Sequence, residues 1–397
     1  MTSKGGGRTL RWLALIAVLS LVVAACAGSD GTAETVSTVP TTPAAGGGDT
    51  TAPTTADVEP SDSGETTAGS GGTYRLGIFQ DPITSNPWAD SDTCCNSVWN
   101  RYVLNTTYGF LYDLSYPGLE PRASLAAIEE VPEPVQEGDV WVAQIPMKED
   151  VLWSDGEPVT AHDVAFTWET AYEFCLSGNW TQMVSAAQPH PNCGGGNAEQ
   201  GAETGSVGVL SVEAKDDYTV EVTFNGKPGL AIWGLGNGVW NMFVFPRHHW
   251  EPIVEEARNS DDPKDALLNA SGEGVPALGP TVFEEHVKGS HARTVKNPNH
   301  HETGTTVSSG GVEYETGPFV DGVDFTLYGS QDAAVLGLAA GEVDLLLNSQ
   351  GMAVGLQDQV SDNPSLAAVI NPQNGFRYLG FNLMREPMSD LAFRRAM

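Results

Sequence analysis

Basic residues are scarce in this chain: 19 Lys and Arg stand against 51 Asp and Glu, a formal net charge of −32. Such a balance excludes nucleic acid, and an anionic membrane surface, as the main partner, because both repel a strongly acidic body. It suits solubility outside a cell and in a salty medium. Cysteine is scarce too, with five in 397 residues. No C-x-x-C pair is followed by a second matching pair, which removes the usual structural zinc sites. The catalytic signatures G-x-S-x-G, H-E-x-x-H and the P-loop are all missing. Gly234-Leu235-Gly236-Asn237-Gly238 lacks the G-x-G-x-x-G spacing and the strand–turn–helix context of a nucleotide loop. Beyond the N-terminus no apolar run is long enough to span a bilayer.

What is present begins with a targeting segment. Lys4, Arg8 and Arg11 precede the apolar run "WLALIAVLSLVVAA", and small residues lead into Cys26, the pattern of a secretory signal. Val23-Ala24-Ala25-Cys26 resembles a bacterial lipobox, which implies lipidation at Cys26 after cleavage. The alternative is a plain signal peptide with a chance cysteine. Residues 27–72 are Thr, Ser, Gly, Pro and Ala with almost no large side chain, so they cannot bury enough surface to offset ordering entropy. They are expected to form a disordered tether spanning roughly 35–40 Å. The expected layout is a signal peptide over 1–26, the tether over 27–72, and a globular body from Thr73. The chain's 40% apolar content can supply that body with a core. The exported setting permits disulfides. Cys175 and Cys193 flank the loop "LSGNWTQMVSAAQPHPN", where a bridge would add ~3 kcal/mol in the chain-entropy model. Cys94 and Cys95 cannot be paired from the sequence.

Strands and helices alternate along the body, which predicts a mixed α/β fold. "TYRLGIF" (73–79), "DVWVAQIPM" (139–147) and the two halves of "VGVLSVEAKDDYTVEVTF" (207–224) read as strands. Val98, Trp99, Tyr102 and Val103 fall at helical spacing. Further on, a strand over 323–327, a helix over 331–340 stopped by Gly341, a buried strand over 343–347 and a strand at "GFRYLGFNL" are expected. The stretch "VLWSDGEPVTAHDVAFTWE" (151–169) gathers Asp155, Glu157, His162, Asp163 and Glu169, and looks chemical. Yet Asp155-Gly156 is a turn signal, and Thr160-x-x-Asp163 resembles a capping box. Val164, Ala165, Trp168, Ala171, Tyr172 and Cys175 then mark one buried helical stripe. His162 and Asp163 are neighbours, so they project about 100° apart and do not converge on a reactant. The acidic residues therefore predict scaffold. The pairs His248-His249 and His300-His301 raise a nickel or zinc reading, since imidazole suits both. With no companion ligands at metal-binding spacing, solvent-exposed histidines and no metal or cofactor are expected. The runs Glu255-Glu256 and Asp261-Asp262 are expected on solvated faces.

These motifs resemble the family 5 extracellular solute-binding proteins of ABC importers, the oligopeptide and nickel-type group. "GGTYRLGI" looks like the start of the family's mature domain, and the 151–169 stretch is similar to its W-S-D-G-x-P-[VL]-T-A-x-D-V signature. "AVLGLAAGEVDLL" resembles its G-E-V-D element, and "FRYLGFNL…PMSDLAFRRAM" its F-N strand and following helix. The usual G-[ST]-G-P-[YF] turn is reduced to Gly279-Pro280 with Lys296-Asn297-Pro298. The resemblance implies a periplasmic-binding-protein-like α/β fold of two lobes, the first over 73–275 with an extra subdomain near 101–206, the second starting at 276–397 and incomplete. It implies a monomer outside the cell, held at the membrane by lipid alone, that closes on a solute and delivers it to permease and ATPase subunits. Peptides, nickel chelates, haem and sugars all bind proteins of this pattern; an oligopeptide is expected here. Ligand contacts are expected from Asn86 and Trp88, from Trp233, Trp240 and Asn241, and from Tyr378 and Asn382, aromatics offering apolar walls and Asn paired donors and acceptors. Core packing competes for each tryptophan. A secreted hydrolase and a non-transporting ligand sensor are the alternative functions.

Overall fold

The computed structural model describes residues 71–92, 97–176, 207–234, 238–348, 351–369 and 380–397, all within one compact unit, Glu65–Met397. Among them no helix is long and apolar enough to cross a membrane. Cys26, Cys94, Cys95, Cys193, Tyr378 and residues 27–70 of the tether lie outside the described residues; its last two residues, Gly71 and Gly72, bond to Phe319 O and Asp321 and belong to the body.

Among the described residues thirteen strands form two larger sheets and two hairpins. They are β1 (Thr73–Ile78), β2 (Tyr112–Ser115), β3 (Glu120–Ala123), β4 (Val135–Glu137), β5 (Val140–Pro146), β6 (Val209–Asp216), β7 (Thr219–Phe224), β8 (Thr281–Val287), β9 (His291–Lys296), β10 (Thr306–Ser309), β11 (Val312–Glu315), β12 (Gly322–Leu327) and β13 (Leu345–Leu346). The first sheet runs β13-β1-β12-β9-β8 and is mixed. In it β1 lies between β12 and β13, parallel to both, with Thr73 opposite Gly322 and Leu76 opposite Leu345. The β8–β9 hairpin continues it antiparallel. The second sheet, β4-β5-β7-β6, is antiparallel throughout. Its alternation is clean on β7, where Val220, Val222 and Phe224 point inward and their neighbours are half-buried. β2–β3 and β10–β11 are separate hairpins.

The helix Ala161–Glu173 covers the second sheet at β6. It buries more than the single stripe expected, because the helix Arg247–Arg258 packs on another side. Phe166, Thr167 and Thr170 are buried beside Val164, Trp168 and Ala171. The helix Gln331–Ala340 has the expected bounds, and Gly341 closes it at φ 75°. That left-handed turn costs glycine nothing and any other residue a clash at Cβ. One hydrophobic core runs continuously from Leu76 and Ile78 under the first sheet to Ile145, Val222 and Phe224 under the second.

Two expectations change. The buried strand over 343–347 pairs only at Leu345–Leu346. Of the expected strand "GFRYLGFNL", residues 375–379 are outside the described set, and 380–383 are not strand. In the first sheet β1 is joined by strands between 281 and 346, and the second sheet includes β6 and β7, beyond residue 206.

Candidate ligand-binding site

The 151–169 stretch is a structural knot. Asp155 Oδ1 accepts from the N–H of Glu157 at 3.2 Å, and Gly156 turns the chain at φ 94°, a conformation that favours glycine. Asp163 Oδ2 accepts from Thr160 N–H at 2.9 Å, closing the capping box. Its other oxygen, Oδ1, accepts from Arg247 N–H at 2.8 Å. One carboxylate therefore satisfies orphan donors at the N-termini of two helices. Thr167 extends the seam: its hydroxyl donates to Asp163 O and accepts from Phe245 N–H. Burial pushes the Asp163 carboxyl above its usual range, while the Thr160 and Arg247 amides, then His248 and Trp153, pull it back. Asn299 Nδ2 donates to Trp153 O at 2.9 Å, and buried Asn297 donates to Gly279 O at 2.9 Å. The retained Gly279-Pro280 and Lys296-Asn297-Pro298 thus tie the first sheet to the knot.

An open edge arises in the first sheet instead. β1, β12 and β13 are parallel, so their carboxyl ends open on one edge, and the Gln331–Ala340 helix carries the chain from β12 past β1 to β13. Three segments meet there: 79–86, 328–330, and the described residues 347–348 and 351–353. The first is anchored by Asp81, which accepts from Gly289 N–H at 2.8 Å and lies 2.8 Å from His286 Nε2. The third is anchored by Gln331 Nε2 and Asn348 Nδ2, both donating to Gly351 O. Gln80, Ile83, Gly329 and Ser330 remain exposed on this edge.

The expected contact residues divide among different environments. Asn86 is 1% exposed; its Oδ1 accepts from Trp88 N–H at 2.8 Å, capping the helix Pro87–Ser91, and its Nδ2 donates to Leu267 O at 2.7 Å and Ala270 O at 3.0 Å. Trp88 is fully buried against Phe245, ring centroids 4.5 Å apart, and against Phe166 and Trp250. Trp233 is buried on Phe224 and donates to Pro132 O at 3.1 Å. Trp240 stacks edgewise on Tyr112, and Asn241 Nδ2 donates to Tyr112 O at 3.0 Å. The fold thus brings Trp240 and Asn241 together on β2, and Asn86 and Trp88 together in one cap. Asn382 is exposed, its Oδ1 accepting from Met384 N–H at 3.0 Å. Cys175 is disulfide-bonded, and its expected partner Cys193 is outside the described residues.

The histidine pairs meet the expectation only in part. His248 is exposed and lies 2.8 Å from Asp155. His300 and His301 are not solvated: their side chains are only 6% and 11% exposed, beside Glu302. Packing of the post-β9 loop onto the β2–β3 hairpin buries them, and no local spacing announces that. Among the described residues no group of three His, Cys, Asp or Glu is placed to hold a metal ion. Asp261 and Asp262 are exposed, but Asp262 also caps the helix Pro263–Leu268.

Residues 128–397 match the family described as bacterial extracellular solute-binding proteins, family 5 middle. The chain is 24% identical over 252 residues to a probable deoxycholate-binding periplasmic protein, YgiS, of Escherichia coli (strain K12), covering 63% of this chain and 40% of that protein. It is 28% identical over 159 residues to the oligopeptide-binding protein OppA of Lactococcus lactis subsp. cremoris (strain SK11), covering 39% of this chain and 24% of that one. Among solved structures, a periplasmic EDTA-binding protein, EppA, superposes with a TM-score of 0.59 at 22% identity, over 83% of this chain and 53% of that one. The chain therefore spans less than half the length of these curated relatives. The shared architecture is two-lobed α/β, with mixed sheets and flanking helices.

Proposed function

The chain belongs to the bacterial extracellular solute-binding proteins of family 5, and on that premise we propose that it captures an oligopeptide in an interlobe cleft and delivers it to an ABC transporter permease. It is a binding protein and not an enzyme. The observation that carries the reading is the edge where β1, β12 and β13 end together. Ligands of open α/β sheets sit outside the carboxyl ends of the strands, where the connections part to either side. An extended peptide suits such an edge, since main-chain groups meet its backbone while side pockets admit varied side chains. The name of the OppA relative favours a peptide over the bile acid and chelate named for the others. Closure would follow ligand only by its preference for the closed state. Asn382 and Tyr378 remain candidate contacts; Asn86, Trp88, Trp233, Trp240 and Asn241 would act by holding the framework. The proposal includes export by residues 1–26, lipidation at Cys26, the 27–72 tether and a monomeric body on the outer face of the membrane.

The test is a thermal-shift screen of the full chain against peptide pools, deoxycholate, metal chelates and sugars. A ligand at a hundred times its Kd adds ~2.7 kcal/mol. Stabilisation by peptides supports the reading; stabilisation by a non-peptide alone overturns it.

A further inference from the structure

Arg122 on β3 and Glu302 in the loop after β9 form a bidentate ion pair, with both N···O distances 2.7 Å. Asp113 on β2 lies 3.7 Å from Arg122 on its other side. His300 and His301 flank the carboxylate at 4.0 and 3.9 Å. His301 Nε2 sits 3.2 Å from Ser124 O, to which Lys148 Nζ also donates. His300 Nδ1 sits 3.1 Å from Gly317 O and 3.2 Å from the Thr303 hydroxyl. Tyr314 on β11 faces Arg122, and Glu129 accepts from Ala123 N–H. This cluster joins the β2–β3 hairpin to the post-β9 loop, and Ser115 and Gly118, bonded to Ser309, join it to β10.

We propose that His300, His301, Glu302 and Arg122 form an acid-sensitive latch, which holds the β2–β3 hairpin against the post-β9 loop while the histidines are neutral and loosens it when they take up protons. The charges balance at neutral pH: Arg122 and Lys148 stand against Glu302 and Asp113. Each added proton brings a further cation into a buried site where the carboxylate acting on both imidazoles, Glu302, is already paired with Arg122. His301 Nδ1 is buried with no hydrogen-bond partner among the described residues, so an imidazolium there would bury an unsatisfied N–H. Burial, with Lys148 and His300 beside it, holds His301 down to about 4 against Glu302's pull, and burial also lowers His300. Burial acts most strongly, to raise Glu302, but Arg122's hydrogen bond and charge, with smaller pulls from His301 and His300, together bring the net shift downward. A histidine lowered in the folded state binds its proton more readily once released. The latch is therefore intact above the unfolded pKa of ~6.5 and weakens as pH falls from there towards 4.

Hydrogen–deuterium exchange on the full chain at pH 7 and pH 5, scaled for the intrinsic rate, tests this. The expected result is at least a tenfold loss of protection at pH 5 in 112–126 and 299–317, with little change in the remote helix Ala161–Glu173. The substitution His301→Gln, which keeps a donor for Ser124 O, should remove most of that loss. A loss spread evenly over the body, no loss, or one that persists in the variant overturns the proposal. If the variant does not fold, NMR titration of the unmodified chain decides: His301 titrating below 5 supports the latch, and titration near 6.5 overturns it. None of these outcomes depends on the ligand.

Discussion

Replacing Asn86 by alanine removes a side chain that works at both ends of one contact. Its Oδ1 caps the helix Pro87–Ser91, and its Nδ2 satisfies carbonyls at Leu267 and Ala270, 181 and 184 residues away. Loss of the cap costs ~1 kcal/mol. Leu267 O keeps Ala270 N–H as a donor, but Leu268 O and Ala270 O lose theirs at a site where Asn86 is 1% exposed; at ~1–2 kcal/mol each the sum with the cap is ~3–5 kcal/mol. At ~2.1 cal/mol/K per residue, a unit of roughly 330 residues has an unfolding entropy near ~0.7 kcal/mol/K, and the melting temperature should fall by ~4–7 °C. Asn86→Asp should be worse, because it keeps the cap but turns a carboxylate towards carbonyl oxygens. Calorimetry on the unliganded chain measures both. If Asn86→Ala melts within 1 °C of the parent while ligand affinity drops tenfold, Asn86 is a ligand contact and the framework argument is wrong.

Asp163→Ala unties two helix N-termini at once and should cost ~2–4 kcal/mol in urea denaturation, whereas His162→Ala, on an exposed 3.2 Å contact with Asp217, should cost under ~1 kcal/mol. Gly341→Ala forces a Cβ into φ 75° and should cost ~1–2 kcal/mol with no change in ligand binding; an unchanged denaturation midpoint would contradict the left-handed cap. With a net charge of −32, self-repulsion should be relieved as NaCl rises from 0.05 to 1 M, raising the melting temperature, and a flat or falling curve would show that the acidic surface does not limit stability.

What the sequence determined alone is everything set by neighbours along the chain. The capping box at Thr160–Asp163, the Asp155-Gly156 turn, the Gly341 stop and the alternation of β7 are each decided within a few residues, and each appears where local chemistry places it. The same local logic showed that the acidic 151–169 stretch is scaffold. Only the tertiary structure decided that Asp163 also holds Arg247, that β1 pairs with strands some 250 residues later, and that Asn86 serves a loop 181 residues away. His300 and His301 make the same point: adjacent polar residues read as solvated until another hairpin covers them. The physical reason is that hydrogen-bond caps and backbone dihedrals act over one turn of chain, whereas burial and charge pairing depend on which distant surface arrives, and no local pattern records that.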